Sequence, residues 1–404
     1  MQNADMRTRE NYNSAVLALS DTTTTVQGIV RQSVLNCLTH FHVCLPGLPP
    51  CLGHDLFEGI VKFDVGLILK RLHQNNKQSI DLSCRHLNRL IKHLNYQGTD
   101  ARDKPAMLSD GKAVAGHAAQ VWCFLRLLPV LLSDVIDVTD EAWQMLLLLR
   151  EIVELVCAPR VSYVQILYLN RLISQYLEER LELFPCVSLR PKHHYLRHYP
   201  WLMMMFGPLI HVWTMRMETK HTFFKRTARN AHNFVNITKT LSETHQLNQA
   251  FISSSPRICS GAELGHDCCA FDEHLFSTGV ISAVKHCQQV KFPLHCSSSI
   301  MVKGTKYLRD AFVVIDCLSS QLVFGRVMLC LLDSNGFGAV VVQVCQSEKN
   351  QALGLYSVQT QTVHELPVLK CVLVENLYDY YPLSAYSVFG CPHIALKHAV
   401  FVET

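Results

Sequence analysis

Between Arg190 and Lys239 the chain places nine basic side chains, Arg190, Lys192, Arg197, Arg216, Lys220, Lys225, Arg226, Arg229 and Lys239, around one acid, Glu218. A carboxylate alone among cations has two ready uses. It can hold a metal ion that faces a polyanion, as in nucleic-acid chemistry, or it can neutralise a packed arginine. Charge alone favours the ion pair. Helical spacing puts His221, Lys225 and Arg229 on one stripe with Glu218, which suits such a pair, and the interleaved apolar residues predict a partly buried helix. Trp213, Phe223 and Phe224 read as core rather than as base-stacking rings.

Soft ligands gather elsewhere. Cys37, His40, His42, Cys44, Cys51 and His54 follow one another as C-x2-H-x-H-x-C-x6-C-x2-H, a set of thiol and imidazole donors that could hold a tetrahedral zinc. The spacing matches no common zinc finger, and ordinary packed Cys and His is the competing reading. A second, looser group comprises His266, Cys268, Cys269, His286, Cys287, His295 and Cys296. More pointed is Cys51-Leu52-Gly53-His54-Asp55, where a thiol and an imidazole share one face of a helix start and can fasten it to a neighbouring strand. Glu58 and Asp64, further along the same helix, read as solvated or ion-paired.

The elements that must carry these residues are legible from periodicity. Asp55 to Leu72 repeats apolar residues at three-four spacing and predicts a long amphipathic helix, with Pro50 tolerated just before it. Helices are expected over Leu82 to Leu94, Lys112 to Val135, Asp140 to Cys157 (with Thr139 as N-cap) and Ser162 to Phe184. Pro191 to Pro208 reads as irregular, Leu209 to Thr214 as a short strand, and Met215 to Arg229 and Asn233 to Phe251 as helices. Ser253 to Pro256 opens a polar, Cys-rich linker. Beyond it, Val-rich runs over Ala311 to Ile315, Leu322 to Leu332, Gly338 to Val344, Gly354 to Val358, Val368 to Val374 and His398 to Val402 predict a small separate all-β unit, a barrel or sandwich.

Composition bounds the rest. With 404 residues, 49% hydrophobic and 17% charged, the chain has ample material for a core of two or three units. A net charge of +4 names no partner by itself, so the location of the charge matters more than its sum. Seventeen cysteines, an odd number in a long chain, fit reduced thiols better than a secreted disulfide framework. Val121 to Ile136 is the most apolar stretch, but Arg126, Pro129 and Asp134 interrupt it. A polar start without a signal-peptide pattern points to a nuclear or cytoplasmic protein.

Three pieces, in order, resemble eukaryotic cut-and-paste transposases of the hAT and CACTA kind: LPPCLGHDLFEGIV, the helical block that runs to Pro185, and PKHHYLRHYP followed by FGPLIHVWTMRMETKHTFFKR. Cys51 and His54 occupy the Cys/Asp-x2-His signature of that group, and Glu218 the last acid of its RNase H-like triad. The resemblance spans Glu10 to Phe251. It implies a core in which two aspartates and one glutamate hold two divalent metals, magnesium or manganese, that activate water or a DNA 3′-hydroxyl. The two aspartates should lie on strands upstream of the signature, where this chain offers Asp5 and Asp21, neither flanked by strand-forming residues on both sides.

The resulting expectation is a mainly α protein with a C-terminal all-β domain, a truncated RNase H-like transposase core with a large helical insertion. Its expected division is residues 1–49 as a core remnant, 50–189 as the helical insertion, 190–252 as the basic helices carrying Glu218, 253–296 as linker and 297–404 as the β unit. The expected function is transposon-derived and catalytically incomplete, with sequence-nonspecific DNA binding through Lys192, Arg197, Arg216, Lys220, Lys225, Arg226 and Arg229. Glu218 would bind metal only if partner aspartates are supplied. The alternatives are an active metal-dependent transposase or nuclease completed by a missing part, another chain, or Asp21 and Asp55 standing in, and a protein-interaction scaffold. DNA is the expected partner, self-association a second, and no membrane is expected.

Overall fold

Most of the apolar periodicity becomes helix, and the Val-rich runs become sheet. The computed structural model describes residues 7–20, 25–75, 83–109, 114–232, 234–254, 261–318 and 321–401. The helices are α1 (Arg9–Leu17), α2 (Lys62–Asn75), α3 (Cys84–His93), α4 (Gly98–Arg102), α5 (Ala118–Leu132), α6 (Glu141–Val156), α7 (Tyr163–Leu183), α8 (Pro191–Leu196), α9 (Tyr199–Phe206), α10 (Met215–Ala231), α11 (Ile237–Ser254) and α12 (Thr278–His286). Asp5 and Asp21 lie outside the described residues.

Local signals account for many of the boundaries. Ser162 caps α7 in a reciprocal capping box with Gln165, which satisfies two otherwise orphaned amides. The N-cap of α6 is Asp140, whose carboxylate accepts from Ala142 N, one residue beyond the expected Thr139. The helix expected to begin at Asp55 starts earlier: Gly53–Val61 is wound as a wide π-helix that continues directly into α2. Pro191 to Pro208 is largely helical rather than irregular. Pro191 and Pro200 sit in the first turns of α8 and α9, where a missing N–H costs nothing and a fixed φ favours entry. Leu209–His211 is a 3-10 turn, not a strand. Before Ala262 no described segment forms a strand, and Val26 and Ile29 meet in an isolated antiparallel bridge.

After α11 the chain is dominated by antiparallel sheet. A ten-stranded sheet is centred on the long strands Gln321–Leu332 and Gly338–Asn350, and a three-stranded sheet lies alongside. Register shifts between Val314 and Asp316 and between Val327 and Leu329 are bulges that bend these strands. The stretch expected to be linker holds the short strands Ala262–Leu264 and Cys269–Ala270 and helix α12, whose Ala283 and Val284 are buried. The region around His398 to Phe401, expected as strand, is irregular; His398 pairs with Asp379 at 2.9 Å and the Ala399 amide donates to Glu154 O.

Part of the sheet packs into the helical core, while the rest of it builds clusters of its own. Leu353, Leu355, Tyr386, Val388 and Ala395 join the cluster built by α2, α5, α6 and α7. Trp143 Nε1 donates to Ala352 O at 2.8 Å, and Arg150 Nη1 donates to the Leu353 and Gly354 carbonyls at 3.1 and 2.9 Å. Arg126, in the middle of the most apolar helix, is neutralised by buried Asp100 at 2.5 Å, which also accepts from the Tyr386 hydroxyl at 2.7 Å. No described helix is long and apolar enough to cross a membrane.

Candidate functional site

The site forms where the π-helical start meets the start of α10. Leu52, Leu56, Phe57 and Ile60 are buried, so the opposite side of this segment, carrying His54 and Glu58, faces outward. Phe57 stacks on Trp122 of α5 with ring centroids 5.0 Å apart, and Trp213 meets the same indole edge-on at 6.2 Å. One tryptophan therefore registers both halves of the site, the packing role expected of Trp213. Gly53 permits the close approach: a Cβ there would lie 3.3 Å from Met215 Sδ.

Across this junction Cys51 Sγ is 2.8 Å from Thr214 Oγ1, and Thr214 Oγ1 donates to Glu218 Oε1 at 3.2 Å. His54 bridges two carboxylates, with Nε2 3.1 Å from Glu218 Oε1 and Nδ1 3.2 Å from Glu58 Oε2. The Cys51, His54 and Glu218 ligand atoms all lie within 4.8 Å of one another. The side chains of His54 and Glu218 remain 57% and 41% exposed. Glu218 therefore faces solvent and a histidine, not the packed arginine that charge alone favoured. The Cys51–His54 face fastens to a helix, α10, where a strand was expected.

Electrostatics tune both donors. The hydrogen bond to Glu58 raises the His54 pKa above its ordinary value against the opposing effect of burial, with further help from Cys51 and the two carboxylate charges. Burial pushes the Cys51 thiol up, but hydrogen bonds from Thr214 and the backbone amides of His54 and Gly53 outweigh it and leave the pKa below the usual thiol range. Helix-start amides of this kind favour a thiolate. Asp55 differs, because burial raises its pKa. It lines a cleft of about 880 Å³ with Arg7, Tyr12, His194, His198 and Trp201 and is not part of the Cys51, His54 and Glu218 group.

The basic residues divide. Lys192 belongs to the site itself, its Nζ donating to His54 O at 2.6 Å and its stem crossing the face of Gly59 so closely that a Cβ there would meet Lys192 Cδ at 2.3 Å. Arg197 is half-buried on the body of the protein. Lys220, Lys225, Arg226 and Arg229 lie along α10, all four exposed, and they take part in no ion pair found among the described residues, while the Arg216 side chain lies outside the described residues. Helix α10 packs against α11 through Phe223, Phe224 and His245. Neither helix has a fully buried described residue; α10 is partly buried, as expected, with Phe223, Phe224, Thr227 and Ala228 half-buried and its other side exposed, so the pair forms an arm.

Neither dense Cys/His group brings three ligand atoms together among the described residues. His42 is a packed histidine, 8% exposed, accepting from Cys44 N and edge-on to Tyr12. In the second group Cys269 and Cys296 are cross-strand partners with sulfurs 3.5 Å apart. Thr214 is the site residue that sequence reasoning missed, while Glu58, read as solvated or ion-paired and not assigned to the site, pairs with His54 at 3.2 Å. Glu58 stands one helical turn after His54, a spacing at which a supporting carboxylate could have been sought.

The magnesium or manganese implied by the resemblance requires oxygen donors from several elements. The group here supplies one sulfur, one nitrogen and one carboxylate, and it does not fit that cation. No protein-family model, curated protein or solved structure matches the chain.

Proposed function

We propose that the chain is a transposase-derived protein that holds DNA electrostatically through the α10–α11 arm, with no complete two-metal centre among its described residues. The observation that carries this reading is the meeting of His54 with Glu218, 164 positions apart in the chain, beside Cys51. These are the residues on which the sequence resemblance rests, and short motifs matched by chance have no reason to converge. Of the five cationic residues of α10, Lys225 and Arg229 share one stripe of the helix and Lys220 lies away from it. Such a distribution suits a phosphate backbone approached along the arm rather than base readout. Two-metal chemistry needs several convergent carboxylates. Glu58 reaches His54 rather than Glu218, so Glu218 stands as the one carboxylate of the ligand group.

Filter binding of duplex DNA over a salt series tests the reading. Affinity should fall steeply with salt, and Lys225→Ala/Arg226→Ala/Arg229→Ala should flatten the log–log slope by about 0.9 for each phosphate that is no longer neutralised. Absence of binding at low salt, or binding insensitive to salt, would overturn it.

A further inference from the structure

We propose that Cys51, His54 and Glu218 form a site for a single zinc(II) ion, with Thr214 and Glu58 supporting the ligands and one coordination position left open. The proposal stands on the geometry of the junction and does not depend on the DNA reading.

The donor set is the first support. Thiolate, imidazole and carboxylate together are ordinary zinc ligands, whereas hard cations select oxygen alone. Spacing is the second. Donors about 2.0 to 2.3 Å from a tetrahedral zinc stand roughly 3.3 to 3.7 Å from each other. His54 Nε2 and Glu218 Oε1 are already 3.1 Å apart, and all three ligand atoms fall within 4.8 Å. Side-chain movements on the order of 1 Å would seat the ion without moving either helix.

Support around the ligands is the third. His54 presents Nε2 to the group while Nδ1 contacts Glu58, the carboxylate–histidine arrangement that orients metal-bound imidazoles. Thr214 Oγ1 touches both Cys51 Sγ and Glu218 Oε1. The backbone beneath is fixed by Gly53 against Met215 and by Phe57 and Trp213 on Trp122. Exposure of His54 and Glu218 leaves the fourth position accessible to water or an anionic ligand, unlike a closed four-ligand structural site.

The test is zinc titration of the full chain against a chromogenic chelator, with cobalt(II) as a spectroscopic probe. One equivalent of zinc should bind in the presence of excess magnesium, and cobalt should give a thiolate charge-transfer band. Cys51→Ser should remove the band while Cys37→Ser keeps it. Glu218→Gln should weaken zinc binding, and Glu58→Gln should weaken it about 10- to 100-fold as an outer-shell change. If Cys51→Ser does not fold by circular dichroism, Glu218→Gln, which alters an exposed side chain, decides the matter. Less than one equivalent bound, equal competition by magnesium, or zinc binding unchanged by Glu218→Gln would each overturn the assignment.

Discussion

Two polar clusters sit on the same continuous helix, and they differ in almost everything except their residue types. At the open end, His54 bridges Glu58 and Glu218 in view of solvent. In the first turn of α2, Asp64 accepts from Arg180 Nε at 3.0 and 3.1 Å and from the Tyr176 hydroxyl, and contacts His193 Nε2 at 2.9 Å, with Asp64, Arg180 and His193 all fully buried. Adjacent residues of one motif serve both: Lys192 reaches the His54 carbonyl while His193 reaches Asp64. The sealed cluster clamps α2, α7 and α8 together, and the open one leaves its donors available. A charged group thus tells little about its role until its exposure is known.

Removing a carboxylate should expose that contrast most sharply at Asp64. Asp64→Ala leaves Arg180 buried without its counter-charge and should cost about 3 to 5 kcal/mol. Denaturant unfolding would read this as a lowered midpoint, and a change near zero would mean that water reaches the cluster.

Acid should act on the same bond more gradually. Burial alone would raise the Asp64 pKa, but the hydrogen bond and charge of His193, with Arg180 and Tyr176, outweigh it and hold the pKa below its ordinary value. Stability from this carboxylate is therefore complete above the usual carboxylate range and is lost as pH falls through the lowered value in the folded chain. The melting temperature of the wild type should drop more steeply below about pH 4 than that of Asp64→Ala. Parallel profiles would sink the assignment.

The smallest effect is expected at the open cluster. His54→Ala, measured with chelator present, should change stability by less than about 1 kcal/mol, because exposed pairs are screened. A loss comparable to that at Asp64 would erase the distinction between the two clusters.

Much of this architecture is legible in residue order. The amphipathic repeats of α2, α6 and α7 stand out, since each buries one stripe and exposes another. The meeting of Cys51, His54 and Glu218 is not legible: the motifs give only their order in the chain, and nothing in the spacing of Glu218 along its own helix reveals that its partner is His54. The sealed cluster is no more accessible: Asp64, Tyr176, Arg180 and His193 come from three helices, and local periodicity carries no record of such meetings. Helix α12 is hidden by polar, Cys-rich surroundings, yet Ser277 followed by Val280, Ile281, Ala283 and Val284 has the cap position and spacing of a short amphipathic turn. The prolines of α8 and α9 mislead because a breaker in mid-helix is a starter in its first turn.

The hairpin segment lodged against α6 has a consequence for biosynthesis. Trp143 donates its indole hydrogen to Ala352, 209 residues later, and Arg150 closes on carbonyls equally remote in the chain. As the polypeptide leaves the ribosome, the helices emerge long before the strands that finish their surface, and loop closure over such a separation is slow. The face of α6 that these carbonyls cover therefore stays open to solvent until residues 352–354 have been made.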